Sequence, residues 1–124
     1  DMPVASVRAY SPATVVAEKF HALVSLGLVN SRMKDYFDLW AILNILSIEA
    51  SEIDAAMRAT FERRETDVPA ATPVGLTRQF STDRLKVQQW SAYTASIGLE
   101  DLSLENATGL IRAILGPVCE RLSR

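Results

Sequence analysis

Residues 11–46, SPATVVAEKFHALVSLGLVNSRMKDYFDLWAILNIL, contain two consecutive helical patterns that decide the fold. Ser11 followed by Pro12 is a helix-start signal, because the serine hydroxyl can accept a hydrogen bond from an unpaired amide and proline has no amide to leave unpaired. The second pattern has apolar side chains on nearly every side, which is typical of a central helix. The two predicted helices run from Pro12 to about Gly27 and from about Arg32 to Leu46.

The rest of the sequence adds three further helical patterns. Ile53, Met57 and Phe61 recur every four residues and form one apolar stripe. Two prolines and a glycine interrupt residues 66–80, which predicts an ordered loop over the surface. The remaining predicted elements are helices from Ser51 to about Glu65, from Ser81 to Gly98 and from Ser103 to Leu122, with an edge strand or an extended arm from Val4 to Tyr10.

These patterns predict a mainly α protein, a five-helix bundle that forms a single domain over residues 1–124. Residues 11–65 are its three-helix core, and residues 81–124 hold the last two helices. Pro117 is expected to kink or split the last helix, since proline lacks a backbone donor. The fourth helix is expected to turn Val87, Trp90, Thr94 and Ile97 inward.

Composition excludes several classes of function. The sequence has 13 basic and 15 acidic residues, which argues against binding nucleic acid or anionic lipid through bulk charge. Its longest apolar run, Leu39 to Leu46, is interrupted by Asn44 and is too short to span a bilayer. Cys119 is the one cysteine, so a reducing compartment, the cytoplasm, is expected. The start at Asp1 is expected to reflect a cut from a longer chain.

Two charged residues break the apolar patterns. At about 100° per residue, Lys19 falls in the middle of the apolar stripe of the first helix, close to Leu23. Asp38 falls beside Ile42 in the second helix, with Asp35 next to it. Because an unpaired buried ion costs several kcal/mol, on the order of 3–5, Lys19 and Asp38 are expected to meet each other or a ligand.

Two interpretations of this pair stay open. One is a salt bridge that fixes how the first two helices dock, or a lysine whose stem reaches out to water. The other is a site in which Lys19 holds an anionic phosphate while Asp38, with Asp35, orients the lysine or a metal ion.

Other candidates favour structural interpretations. Asp35 and Asp38 could bind Mg²⁺, but beside Lys34 they more simply form ion pairs. His21 has no second histidine or cysteine ligand near it and is expected at the surface. Cys119 is expected to be unreactive.

A basic patch of Arg58, Arg63 and Arg64 lies on the third helical pattern. Glu62 and Glu65 interleave with it, which favours a solvated face over RNA binding. The sequence also has no glycine-rich phosphate loop and a single histidine, so a standalone kinase or hydrolase has no support.

Two motifs resemble the second half of the AbiEii/AbiGii-type nucleotidyltransferase toxin family. They are Ala17-Glu18-Lys19 on the first helix and Arg32-Met33-Lys34-Asp35-Tyr36-Phe37-Asp38-Leu39 on the second. The gap between them is compatible with the family, and Phe61-Glu62-Arg63-Arg64 resembles it more weakly.

The resemblance implies Mg²⁺-dependent transfer of a nucleoside monophosphate from a nucleoside triphosphate to an acceptor such as tRNA, in a toxin-antitoxin or abortive-infection system of bacteria. It implies a separate antitoxin that binds DNA. It assigns Lys19 and Asp38 to the catalytic site and places Lys19, Arg32, Lys34 and Asp35 at the nucleotide.

One departure from the family pattern concerns the metal site. The family's N-terminal half supplies a Gly-Ser turn and an Asp-x-Asp pair that hold the metal ions, and these 124 residues contain neither motif. The chain alone is therefore expected to be inactive, as a C-terminal fragment or a truncated relative. The alternative is a helical interaction module, including a homodimer, that carries out no catalysis.

Overall fold

Six α-helices and two 3₁₀ turns form the regular structure of the computed structural model, which describes residues 10–29 and 31–124. The helices are α1 (Pro12–Leu26), α2 (Met33–Ile45), α3 (Ala50–Arg63), α4 (Arg78–Ser81), α5 (Arg84–Ser96) and α6 (Leu104–Leu122), and the 3₁₀ turns are Gly27–Val29 and Val74–Leu76. The described residues include no strand, so the prediction of a mainly α protein is confirmed. The strand or arm predicted from Val4 to Tyr10 lies outside the described residues except for Tyr10.

The predicted starts of the first and last long helices are confirmed by their caps. The hydroxyl of Ser11 accepts from the amide of Thr14 at 3.1 Å, and Pro12 occupies the first turn of α1. In α6 the hydroxyl of Ser103 accepts from the amide of Asn106 at 3.0 Å. Each serine therefore satisfies an amide that has no partner within the helix.

Two other predicted starts are wrong. Helix α3 begins at Ala50 after Glu49, which makes no side-chain cap. Helix α5 begins at Arg84, where Asp83 caps the amide of Lys86 at 3.1 Å. Ser81 instead ends α4, a one-turn helix that forms within and just after the predicted loop and is too short to show a period in the sequence.

The core lies where α1 packs against α2 and α3 and where α6 covers α2 and α3. Tyr36 is central to it: its ring stacks on Phe80 with centroids 5.1 Å apart, and its hydroxyl donates to the carbonyl of Gly75 at 2.9 Å. The loop before α4 is thus bonded to the central helix. The predicted stripe of α3 is confirmed, since Ile53, Met57 and Phe61 are all buried.

Helix α5 turns a narrower face inward than its sequence predicts. Trp90 and Thr94 are buried as predicted, but Val87 and Ile97 are each 40% exposed, so their inward placement is wrong. The third buried position is Lys86, whose ammonium lies 5.4 Å from the centroid of the Phe80 ring. The buried side chains are spaced by four residues, because α5 touches the bundle along one edge.

Pro117 does not split the last helix, which continues from Leu104 to Leu122. Gly116 precedes it, and a residue without a Cβ avoids the clash that proline imposes on its predecessor. Helix α6 therefore packs as one continuous helix against α2 and α3.

The segment Pro12–Val29 is long and apolar enough to cross a membrane by length and composition alone. In the fold it is the core helix α1 with the 3₁₀ turn after it, and Val16, Ala17 and Phe20 are fully buried against the other helices. We interpret its apolar character as a consequence of that packing.

Candidate functional site

Lys19 lies between two carboxylates of α2. Its ammonium is 2.9 Å from Oδ1 of Asp35 and 3.2 Å from Oδ2 of Asp38. The predicted meeting of Lys19 and Asp38 is therefore confirmed, with Asp35 as the nearer partner. The three side chains are 24%, 15% and 23% exposed, so they lie at the edge of the contact between α1 and α2 and not in the middle of a packed face.

Two outer cations extend this cluster into a chain of ion pairs. Arg32 contacts the second oxygen of Asp35 at 2.8 Å, and Lys34 contacts Asp38 at 2.7 Å. The hydrogen bond from Lys34 to Asp38 is the main reason that the pKa of Lys34 is raised. We call these five residues, Arg32, Lys34, Lys19, Asp35 and Asp38, the ion-pair chain. It carries three positive and two negative charges.

A cleft of about 480 Å³ opens beside the ion-pair chain. Its lining residues are Tyr10, Thr14, Val15, Glu18, Lys19, His21, Ala22, Arg32, Asp35 and Arg64. Lys34 and Asp38 are not among them. Of the residues predicted to bind nucleotide, Lys19, Arg32 and Asp35 thus line one cleft, while Lys34 lies on the outer side of α2, with its side chain 71% exposed.

A second set of ion pairs borders the same cleft. Glu18, one residue before Lys19, accepts from Arg64 at 2.7 Å and also from Arg63. Burial raises the pKa of Glu18, but the hydrogen bonds and charges of Arg64 and Arg63 outweigh burial, so the pKa is lowered overall. This set holds two positive charges against one negative charge and joins α1 to the end of α3.

His21 is half-buried and bonded, which corrects its predicted place as a surface residue. Its Nε2 lies 3.0 Å from the hydroxyl of Thr66, and its ring meets Phe61 edge-on with centroids 5.1 Å apart. Burial lowers the pKa of His21, and the charge of Arg64 lowers it further while Glu18 opposes them. The ring is therefore neutral near pH 7.

The carboxylates of the ion-pair chain are a poor fit for Mg²⁺. Asp35 already contacts Lys19 and Arg32, and Asp38 already contacts Lys19 and Lys34, so a divalent cation would have to displace ammonium or guanidinium groups. The described residues also hold no group of three or more His, Cys, Asp or Glu side chains arranged for a metal ion. The charge around the cleft suits an anion instead.

Sequence reasoning missed the ion pairs that Glu18, in the wall of this cleft, makes with Arg63 and Arg64. It placed the two arginines with Arg58 in a basic patch and paired Glu18 with none of them. Their charges are opposite, which is the signal that could have joined them, but α1 and α3 are separated by α2 in sequence. Only the packing of α1 against α3 brings the three side chains together.

A larger groove of about 570 Å³ lies elsewhere, between the loop at residues 70–73 and α6. Arg112 in its wall donates to the carbonyl of Leu76. Cys119 also borders it but is only 5% exposed, and burial raises the pKa of its thiol to about 11. The expectation that this cysteine is unreactive agrees with that environment.

Comparison with known families decides which family this chain belongs to. Residues 1–109 match the family model described as nucleotidyl transferase AbiEii toxin, Type IV TA system. The chain belongs to the AbiEii nucleotidyl transferase toxin family. No curated protein and no solved structure matches it. The match includes both motifs that form the ion-pair chain, all of the cleft lining and the end of α3, so the AbiEii resemblance seen in the sequence is confirmed.

Proposed function

We propose that this chain is the helical part of a nucleotidyltransferase toxin, and that its cleft binds the triphosphate of a nucleoside triphosphate. One observation carries the proposal. Lys19, Arg32 and Arg64 line the cleft against Glu18 and Asp35, so cations outnumber carboxylates along its wall. A concave surface with such an excess attracts polyanions, and charge-assisted hydrogen bonds to phosphate are among the stronger polar contacts in proteins.

Lys19 is the residue best placed to bind phosphate. An ammonium group has three donors, and two carboxylates contact this one, which leaves it able to reach a third acceptor in the cleft. Asp35 and Asp38 are positioning residues in this proposal, since they fix the ammonium without needing to touch the nucleotide. A cation held in place before the substrate arrives can stabilise charge that develops during phosphoryl transfer.

The reaction needs groups that these 124 residues lack. The family resemblance assigns metal binding to a Gly-Ser turn and an Asp-x-Asp pair, and neither motif occurs here. We therefore propose that a second, N-terminal half supplies them and that the chain alone does not transfer nucleotides. The acceptor proposed from the resemblance is an RNA such as tRNA, and the cytoplasm is the proposed location. A separate antitoxin is the partner that a Type IV toxin-antitoxin family suggests.

Transfer of label from α-³²P nucleoside triphosphates to total tRNA tests this proposal. The chain joined to the Gly-Ser and Asp-x-Asp half of another family member should label RNA, and the chain alone should not. Lys19→Ala should lower the transfer rate at least about tenfold, the loss expected for one charge-assisted hydrogen bond of about 1.5–3 kcal/mol.

Two controls make this result interpretable. Lys19→Ala should still fold, because Arg32 and Lys34 remain as partners for Asp35 and Asp38 and such partly exposed pairs contribute about 1 kcal/mol or less. Arg84→Ala removes one exposed cation from α5, away from the cleft, and should leave transfer unchanged. Full activity in a folded Lys19→Ala protein would contradict the proposal.

A further inference from the structure

Two adjacent arginines at the end of α3 share one carboxylate but differ in where they lie. Arg63 and Arg64 both bond to Glu18, and their side chains are 56% and 53% exposed. Arg64 lines the cleft and Arg63 does not. Variants of the two arginines can therefore be compared. Both residues join α1 to α3 through Glu18, but only Arg64 can also contact a ligand in the cleft.

Arg63 is tied more fully into the protein than Arg64. Besides Glu18, it approaches the hydroxyl of Thr60 one turn back at 3.4 Å. The guanidinium of Arg64 bonds to one oxygen of Glu18 at 2.7 Å. A guanidinium carries five N–H donors in a planar fork, so this single contact leaves donors of Arg64 to face the cleft.

The backbone of Arg64 is linked through Thr66 to His21, a residue that lines the cleft. The hydroxyl of Thr66 donates to the carbonyl of Arg64 at 3.0 Å. That hydroxyl also lies 3.0 Å from Nε2 of His21 on α1, and both contacts are satisfied when His21 carries its proton on Nε2. A relay from His21 through Thr66 thus fixes the residue whose side chain enters the cleft.

Helix α3 is closed immediately after Arg64. Glu65 has φ of 52°, a left-handed conformation that non-glycine residues rarely adopt, and the amide of Thr66 bonds back to the carbonyl of Phe61 at 2.9 Å. This closure fixes the backbone on the C-terminal side of Arg64. Strained backbone conformations of this kind persist where surrounding contacts enforce them.

We propose that Arg64 is a second phosphate-binding residue of the cleft, acting with Lys19, and that Glu18 holds its guanidinium in position for a polyphosphate. The inference rests on the proposed function, since it adds a residue to the same triphosphate site. Arg63 has the structural role of the pair: it joins α3 to α1 and does not contact the ligand.

Isothermal titration calorimetry of the full 124-residue chain with inorganic triphosphate at low salt separates these roles, because it measures the binding affinity of each variant. Arg64→Gln should weaken binding about tenfold, and Arg63→Gln should change it less than about twofold. Arg64→Lys should recover part of the affinity, because it keeps the charge and loses the fork. Both glutamine variants should lower the midpoint of thermal unfolding, since each loses a bond to Glu18, and Arg63→Gln should lower it at least as much because it also loses the contact with Thr60.

Each other outcome has a definite meaning. Equal weakening by Arg63→Gln and Arg64→Gln would overturn the inference, because both arginines would then act only through Glu18 or through general charge. Loss of binding in Lys19→Ala with no effect of Arg64→Gln would overturn it while the proposed function stands. A wild-type chain that binds no triphosphate would contradict the proposed function and the inference together.

Discussion

The meeting of Lys19 with Asp38 shows what a single residue's position in a pattern can predict. Helical spacing placed a cation and an anion on apolar faces of consecutive helices. Because a buried ion without a partner is costly, the two residues were expected to meet. The same reasoning could not rank Asp35 as the nearer partner, because the difference between 2.9 Å and 3.2 Å depends on how α1 and α2 cross. Nor could it find Arg64, whose contact with Glu18 spans 46 positions of sequence.

Gly75 is the residue at which the loop before α4 meets the core. A Cβ added there would lie 2.5 Å from the hydroxyl of Tyr36 and 3.1 Å from Cδ2 of Leu23. Gly75→Ala should therefore lower the free energy of unfolding by about 1–3 kcal/mol, the range for overpacking a core, and should disturb the bond from Tyr36 to the loop.

Urea unfolding followed by circular dichroism checks this prediction. The matched control is Gly109→Ala, inside α6, where the nearest atom to a new Cβ is the end of Arg112 at 3.9 Å. That variant should gain about 0.5–1 kcal/mol, since alanine favours a helix over glycine. A stable Gly75→Ala protein would show that the loop packs less closely on Tyr36 than the structure indicates.

At the scale of helices, the sequence predicted the long elements well and their junctions less well. Spacing of apolar residues located α1, α2, α3 and α6, because long periodic segments average over many side chains. The same spacing did not predict where α5 begins. Asp83 caps α5 in place of Ser81, because Ser81 is the last residue of the one-turn helix α4. Lys86 is buried in place of Val87 because α5 packs with Lys86 against the ring of Phe80, a contact that the spacing of apolar residues does not predict.

The contact of α1 with the end of α3 should make stability depend on pH. His21 has a pKa below its ordinary value of 6.5, so between that lowered value and 6.5 the unfolded chain binds more protons than the folded chain. Stability should therefore fall as the pH decreases through 6.5. Glu18, whose pKa is lowered from 4.5, adds a separate loss at more acidic pH.

Urea midpoints at pH 7.5 and pH 5.5, on the order of one unit either side of an ordinary histidine pKa, check this dependence. His21→Gln keeps a donor for Thr66 but cannot titrate, and His21 is the only histidine in the chain. The variant should lose less stability than the wild type over this interval. Equal losses in both proteins would mean that His21 is not responsible.

At the scale of the whole molecule, composition and periodicity predicted a mainly α bundle, and the family match supports the identity that two short motifs indicated. The cleft itself was beyond sequence reasoning. In α1 two adjacent residues contact different helices: Lys19 contacts α2, and Glu18 contacts the end of α3. Which helix each residue contacts depends on how the three helices pack, and the sequence does not show that packing. The single-domain organisation over residues 1–124 stays a prediction. The same holds for the catalytic roles of Lys19 and Asp38 and for the nucleotide-binding roles of Lys19, Arg32, Lys34 and Asp35.

The central claim is that the cleft between α1, α2 and the end of α3 binds a triphosphate. A crystal structure of this chain with a non-hydrolysable nucleoside triphosphate tests it most directly. We predict phosphate oxygens within hydrogen-bonding distance of the Lys19 ammonium and the Arg64 guanidinium, with Asp35 and Asp38 still contacting the lysine. Phosphates bound in the groove beside Arg112, with the Lys19 cleft containing only water, would contradict the account.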